Sequence, residues 1–299
     1  MNVFFGVTAR STRAPNLFVM IRVGMSTSCV FPLPLEEAFR LARIAGYDGV
    51  EIMVTNDKST QDAARLLGLA HSYRIPILSI HAPVLLATQL VWGTNPRRKL
   101  EKSAELARAV GASTVVVHPP FRWQSGYARS FEGTVAELAS EYDIELAVEN
   151  MFSWTIGNTD VRAYSPSPYP TELAVDSMTL DFSHAALAGR DGLEFAMAMG
   201  PRLRHIHLCD GLGGTILDEH LIPGHGAQPV SEVLHLLSST GWNGSIVAEV
   251  STHRARTTDD RLAILGETLA FARAALANHP STRPTDPKAG KHKKRKLSA

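Results

Sequence analysis

Cysteine is nearly missing from this sequence: Cys29 and Cys209 are the only two in 299 residues, and no Cys-x-x-Cys pair occurs. Two thiols cannot build the disulfide framework of a small secreted domain or a four-thiolate metal site. A reducing cytoplasm is therefore the expected compartment. Long apolar runs are also missing, since no stretch approaches the ~20 residues that span a bilayer, and no membrane partner is expected. The piece Val3-Phe4-Phe5-Gly6-Val7 is shorter than the core of a secretory signal, and no basic residue precedes it. A glycine-rich phosphate loop does not follow the first apolar strand, which counts against a dinucleotide-binding sheet.

A strong charge of one sign is lacking as well. The formal charge is +1, but Arg283, Lys288, Lys291, Lys293, Lys294, Arg295 and Lys296 crowd the last 19 residues against one acid, Asp286. Removing them from the 30 basic and 29 acidic residues leaves 23 and 28, a body near −5. That body makes no global electrostatic case for nucleic acid. Residues 280–299 are expected to form a disordered basic tail and residues 1–19 a disordered extension, with Met20 a candidate start. Residues 20–279 remain for one domain.

Within that domain short apolar runs alternate with longer amphipathic stretches, the pattern of a parallel sheet wrapped by helices. Strands are expected at Ile21–Met25, Gly49–Met53, Ile77–Ile80, Thr114–Val117, Glu145–Val148, Met178–Leu180, Leu203–Ile206 and Ser245–Ala248. Helices are expected at Leu35–Ala45, Thr60–Tyr73, Arg97–Val110, Phe131–Glu141, Gly192–Met199, Val230–Ser239 and Asp259–Leu276. Pro96 before and Gly111 after the third of these are the usual start and stop signals. Eight strands in about 250 residues suggest a single α/β domain, a (β/α)₈ TIM barrel, over an open doubly wound sheet.

Barrel active sites form where strands end at the C-terminal face. Strands three to eight finish on Ser79-Ile80-His81, Val117-His118, Val148-Glu149-Asn150, Asp181-Phe182-Ser183-His184, His205-Ile206-His207-Leu208-Cys209-Asp210 and Ala248-Glu249. The loop after the seventh strand adds Asp218-Glu219-His220. One strand-end histidine is most simply a hydrogen-bonded core residue. Six consecutive strands ending on His, Asp or Glu are better explained by cations, because converging carboxylates repel one another unless positive charge joins them.

From Ile21 to Leu276 the chain resembles the xylose-isomerase-like TIM barrel superfamily, which includes sugar isomerases and epimerases and the endonuclease IV group (AP endonuclease family 2). The resemblance implies a metal site from Glu149, Asp181, His207 and Glu249. It further implies endonuclease IV-like ligands at His81, His118, His184, Asp218 and His220. One to three divalent cations per chain, Zn²⁺ or Mn²⁺, are implied. Two reactions are open. In isomerases and epimerases of the superfamily, two metal-bound glutamates, here Glu149 and Glu249, exchange protons with one carbon of a sugar or sugar phosphate. In the endonuclease, three zincs cleave a phosphodiester, and all nine ligand positions are matched here. Against a DNA substrate, Val84 stands where that enzyme's intercalating aromatic would be, and Thr55-Asn56-Asp57-Lys58 lacks its basic grip. Nucleic acid is a partner only under that second reading.

Arg122, Trp123 and Trp154, just beyond strands four and five, and His225, after Gly224 in the loop that follows strand seven, are candidate substrate contacts, while Arg97 and Arg98 are further candidate phosphate partners. His205, two residues before His207, is expected one layer deeper as a buried structural histidine. Asn150 is expected to orient Glu149. The insertion Asn158–Pro170 is a candidate lid. Cys209 has no setting that would make it a nucleophile.

Overall fold

The computed structural model describes residues 21–83, 88–156, 159–161, 163–214 and 217–277. The expected extension and tail, the Val84 position and the start of the candidate lid lie outside these residues.

Eight parallel strands close into a barrel: β1 (Arg22–Ser26), β2 (Gly49–Met53), β3 (Ile77–His81), β4 (Thr114–Val117), β5 (Glu145–Glu149), β8 (Met178–Asp181), β9 (Leu203–Leu208) and β10 (Ser245–Ala248). The strands between β5 and β8, β6 (Trp154–Ile156) and β7 (Thr159–Val161), form a separate antiparallel hairpin. Barrel order is β1-β10-β9-β8-β5-β4-β3-β2, closed by pairing of β1 with β2. The TIM barrel expected from the alternating pattern is the observed fold. No helix among the described residues is long and apolar enough to cross a membrane.

The helices are α1 (Leu35–Ala45), α2 (Ala63–Tyr73), α3 (Pro96–Val110), α4 (Ser125–Tyr142), α5 (Phe182–Leu187), α6 (Gly192–Met199), α7 (Val230–Ser239) and α8 (Thr258–Leu276). Local chemistry sets their ends. Asn95 accepts from Arg98 N with Pro96 in the first turn, and Gly111 turns left-handed at φ 76° to stop α3. Asp62 accepts from the amides of Ala64 and Arg65, so α2 starts at Ala63 and not at the expected Thr60; a separate 3-10 turn, Lys58–Gln61, precedes it. The α4 helix begins at Ser125, six residues before the expected Phe131. Between β5 and β8 the described residues hold the hairpin and a 3-10 turn, Pro170–Glu172, where a barrel helix would stand.

The strand register sorts the interior into rows. Met53 lies opposite His81 and Asp181 opposite His207, one row above Glu51 opposite Ser79 and Thr179 opposite His205. Register shifts between Val50 and Glu51, and between Met178 and Thr179, place these rows. The first shift accompanies the packing of Leu78 against Gly24 and Gly49, where an added Cβ would meet it at 2.8 and 2.4 Å. Polar chemistry therefore occupies the upper barrel, while apolar strand faces pack against the helices.

Leu78 leaves no room at Gly49, so Gly49→Ala is expected to lower stability by about 1–3 kcal/mol. Denaturant unfolding checks this, with metal content measured alongside to show that the upper rows are intact.

Candidate metal centre and active site

Six neighbouring strands, β3, β4, β5, β8, β9 and β10, bring residues at or next to their C-terminal ends to one end of the barrel. His207 stands at the centre, with no solvent exposure. Its Nδ1 lies 2.9 Å from Glu149 Oε1, 2.8 Å from Glu249 Oε2 and 3.6 Å from Asp181 Oδ2. Ligand atoms of Glu149, Asp181, His207 and Glu249 all lie within 4.8 Å of one another, and all four residues are buried.

Glu149 also faces the other side of the barrel. Its Oε2 is 2.9 Å from His118 Nε2 and 3.5 Å from His81 Nε2, while Oε1 is 3.3 Å from His184 Nδ1. A third group stands at the rim, where Asp218 Oδ2 is 3.2 Å from His184 Nε2 and 2.8 Å from His220 Nε2. All nine residues expected as ligands thus lie in one connected cluster, with Asp218 its most exposed member.

The donor set fits a divalent cation. Imidazole nitrogens and carboxylate oxygens are the ligands of Zn²⁺ and Mn²⁺. His118 Nε2 approaches Glu149 Oε2 off the line of a hydrogen bond, and both atoms, with His118 Nδ1, lack any aligned partner although buried. Each such atom costs about 1–3 kcal/mol unless something satisfies it. Ring nitrogens and carboxylate oxygens crowded together in this way are the arrangement that a cation relieves.

Charges in the cluster divide by kind. Burial opposes ionisation of Glu149, but the His207 and His118 rings outweigh it and hold the carboxyl well below the usual range. The same balance, led by His207, lowers Glu249 to about 2. Burial also opposes protonation of the histidines, yet Glu249 and Glu149 push His207 well up, and Asp181 and Asp218 do so for His184. Asp218 likewise raises His220. His118 goes the other way, because burial outweighs the pull of Glu149.

Local structure explains how these side chains are held. Asp181 Oδ1 caps α5 by accepting from His184 N at 2.7 Å, so one carboxylate both faces His207 and sets the helix that carries His184. Asn150 serves Asp181 and not Glu149 as expected: its Oδ1 accepts from Asp181 N at 2.8 Å and its Nδ2 donates to Asp181 O at 3.0 Å. Ser183 Oγ donates to Asp218 Oδ1 and accepts from the amides of Glu219 and His220. The loop bearing these residues is anchored by Asp210, whose carboxylate accepts from the amides of Gly211, Gly224, Gly226 and Gln228. A Cβ on Gly226 would sit 2.2 Å from Asp210 Oδ1, so that loop needs glycine there.

The other expected contacts are dispersed around the mouth. Arg122 is exposed, and its amide donates to Ala163 O. Trp123 is 62% exposed and stacks on Phe121 with centroids 4.4 Å apart; Phe121 in turn stacks on Tyr164. Trp154 opens β6. His225 is exposed, 2.8 Å from Glu267 on α8. Arg97 and Arg98, the further phosphate candidates, are paired with Glu137 and Glu101 instead. Within the candidate lid, Ala163 and Tyr164 are buried, and backbone bonds from Arg122 to Ala163 and from Ser165 to Pro120 tie that stretch to the loop after β4. Burial pushes the thiols of Cys29 and Cys209 up to about 12, so neither is a nucleophile. His205 lies one row below His207, as its spacing implied, and is fully buried.

Two residues at the site were not singled out from sequence. Glu51, mid-strand on β2, is fully buried beneath His207, and Asp210 holds the loop after β9. Glu51 was recognisable as a lone acid inside the apolar run Gly49–Met53. Asp210 gave no comparable signal, since its partners are backbone amides.

Comparison with known proteins agrees with this architecture. An uncharacterised protein of Mycobacterium tuberculosis is 45% identical over 275 residues, covering 86% of this chain and 98% of that protein. Fructoselysine 3-epimerase of Escherichia coli O157:H7 is 22% identical over 293 residues, covering 89% of this chain and 100% of its own. Among solved structures, a D-tagatose 3-epimerase-like protein superposes with a TM-score of 0.64 at 22% identity, covering 86% of this chain and 98% of its own. D-psicose 3-epimerase, solved in the presence of D-fructose, superposes with a TM-score of 0.61 at 15% identity, covering 86% of this chain and 99% of its own. The sequence model of the xylose isomerase-like TIM barrel family matches residues 39–275. The chain belongs to the xylose isomerase-like TIM barrel family.

Proposed function

We propose that this protein is a divalent-metal-dependent isomerase or epimerase of a sugar or sugar phosphate. The observation that carries the proposal is the convergence of Glu149, Asp181, His207 and Glu249 at the buried end of the barrel. Names of the relatives support the reaction class, since fructoselysine 3-epimerase and D-psicose 3-epimerase both act on sugars. The buried free thiols suit the cytoplasm expected from the low cysteine content.

Glu149, Asp181, His207 and Glu249 would hold the principal cation, Zn²⁺ or Mn²⁺. When bound, such a cation acts as a Lewis acid that polarises a substrate carbonyl and offsets charge developing on its oxygen. Glu149 and Glu249 come from separate strands and present ionised carboxylates to the same space. One would remove a proton from a substrate carbon and later release it to water, while the other would first take a proton from water and deliver it to the opposite face, so that stereochemistry changes and both carboxylates are restored. Trp123 offers an exposed ring to a sugar face, Arg122 a cation to a phosphate, and Trp154 and His225 complete the proposed contacts.

A trinuclear zinc phosphoesterase is the second reading, favoured by one observation: the separate His184, Asp218 and His220 group. The engagement of Arg97 and Arg98 with acids weakens it for nucleic acid.

Four outcomes are expected. Screened against ketoses and their phosphates with Mn²⁺ or Zn²⁺, the protein should exchange a substrate C–H with D₂O. Glu149→Gln should lose about 10²- to 10⁴-fold in turnover while keeping its melting temperature, and a variant that remains active removes the two-glutamate reading. For the third position, His220→Ala should lower the zinc count by mass spectrometry, and phosphoesterase activity lost with it would favour the second reading; an unchanged count removes that position. Finally, the raised His207, His184 and His220 carry protons in the metal-free protein that a cation must expel. Affinity should therefore keep rising with pH above the ordinary histidine value of 6.5, with proton release seen by calorimetry in two buffers. A flat profile there contradicts it.

A further inference from the structure

Beneath the metal centre lies a second polar layer that the proposed reaction does not use. Glu51 on β2 and His205 on β9 are both fully buried in the lower row. Glu51 Oε2 accepts from Ser79 Oγ at 2.7 Å and lies 3.1 Å from His205 Nε2. Its other oxygen, Oε1, lies 3.3 Å from Nε2 of His207. The approaches of His207 Nε2 to Glu51 Oε1 and of His205 Nε2 to Glu51 Oε2 are both off the line of a hydrogen bond, and Oε1 and the two ring nitrogens have no aligned partner among the described residues.

His207 is therefore held between two sets of carboxylates. Above, Nδ1 faces Glu149, Glu249 and Asp181; below, Nε2 faces Glu51. A neutral imidazole carries one proton, and a nitrogen that carries it cannot ligate a cation. A cation among the upper carboxylates requires Nδ1 to be bare. The proton must then sit on Nε2, where Glu51 Oε1 is the acceptor.

We propose that Glu51 is a positioning residue that fixes His207 as an Nδ1 metal ligand by accepting its Nε2 proton, with Ser79 and His205 holding the Glu51 carboxylate in place. This rests on the metal reading of the upper site. A carboxylate behind a ligating imidazole makes the ring a stronger donor and locks its orientation. Glu51, His205 and His207 are also close enough to hold a cation themselves. That arrangement is disfavoured when the upper site is filled, because His207 would have to ligate through both nitrogens and lose both protons.

Co²⁺ titration of the full chain, by competition with a chromophoric chelator, tests the assignment. Glu51→Gln keeps the side-chain volume and should weaken Co²⁺ binding about 10- to 100-fold, alter the visible Co²⁺ absorption and leave the far-ultraviolet circular dichroism intact. Histidine ¹⁵N spectra of the Zn²⁺-loaded wild-type protein need no variant, and should show the His207 proton on Nε2. An affinity unchanged within about twofold, or a proton found on Nδ1, overturns the proposal. So does an extra equivalent of Co²⁺ in the wild type that Glu51→Gln loses, which would make Glu51 a direct ligand. Failure of the wild type to bind Co²⁺ at all would instead overturn the metal reading.

Discussion

The upper barrel depends on one electrostatic constraint: carboxylates from different strands are brought together where water is excluded. Glu51, Glu149, Asp181 and Glu249 are all buried, and His207 touches or approaches each of them. Two like charges 4 Å apart repel by about 4 kcal/mol at an effective dielectric near 20. Such a set persists only if positive charge is supplied, by protonated histidines or by cations. The histidines that supply it in the metal-free protein are the residues that would ligate a metal, so protons and cations compete for one set of nitrogens.

Much of the surrounding structure keeps that cluster rigid. Asp181 caps α5 while facing His207, and Asn150 clamps the Asp181 backbone on both sides. Asp210 gathers four amides and thereby holds the loop that brings His220 back over Glu249, whose carbonyl oxygen lies 2.6 Å from His220 Nδ1. Each device is local in geometry yet joins segments far apart in sequence. A ligand set placed with this precision loses little on binding a cation, because its side chains are already ordered.

The barrel also departs from a uniform repeat where access is needed. After β5 the chain forms the β6–β7 hairpin, and the cluster of Phe121, Met151, Phe152, Ala163 and Tyr164 packs above the barrel wall. Phe152 lies against His184, with centroids 5.1 Å apart, which carries this apolar cover to the edge of the candidate metal centre. Excluding water there strengthens every charge interaction beneath.

Sequence alone determined the strands, nearly all the helices and the residue type at each strand end, because these follow from local periodicity and from the alternation of side chains along a strand. The candidate ligand residues could be named for the same reason: a strand-end His, Asp or Glu faces the barrel mouth whatever its neighbours do. The short α5 helix was not, since six residues are too few to show a period. Tertiary structure decided the rest. It turned Asn150 toward Asp181 and not Glu149, paired Arg97 on α3 with Glu137 on α4, and set Glu51 under His207. The place of Glu51 and His205 under His207 depends on register and on two one-residue shifts between neighbouring strands. Register is fixed by how strands pack around the closed barrel, and no single segment carries that information.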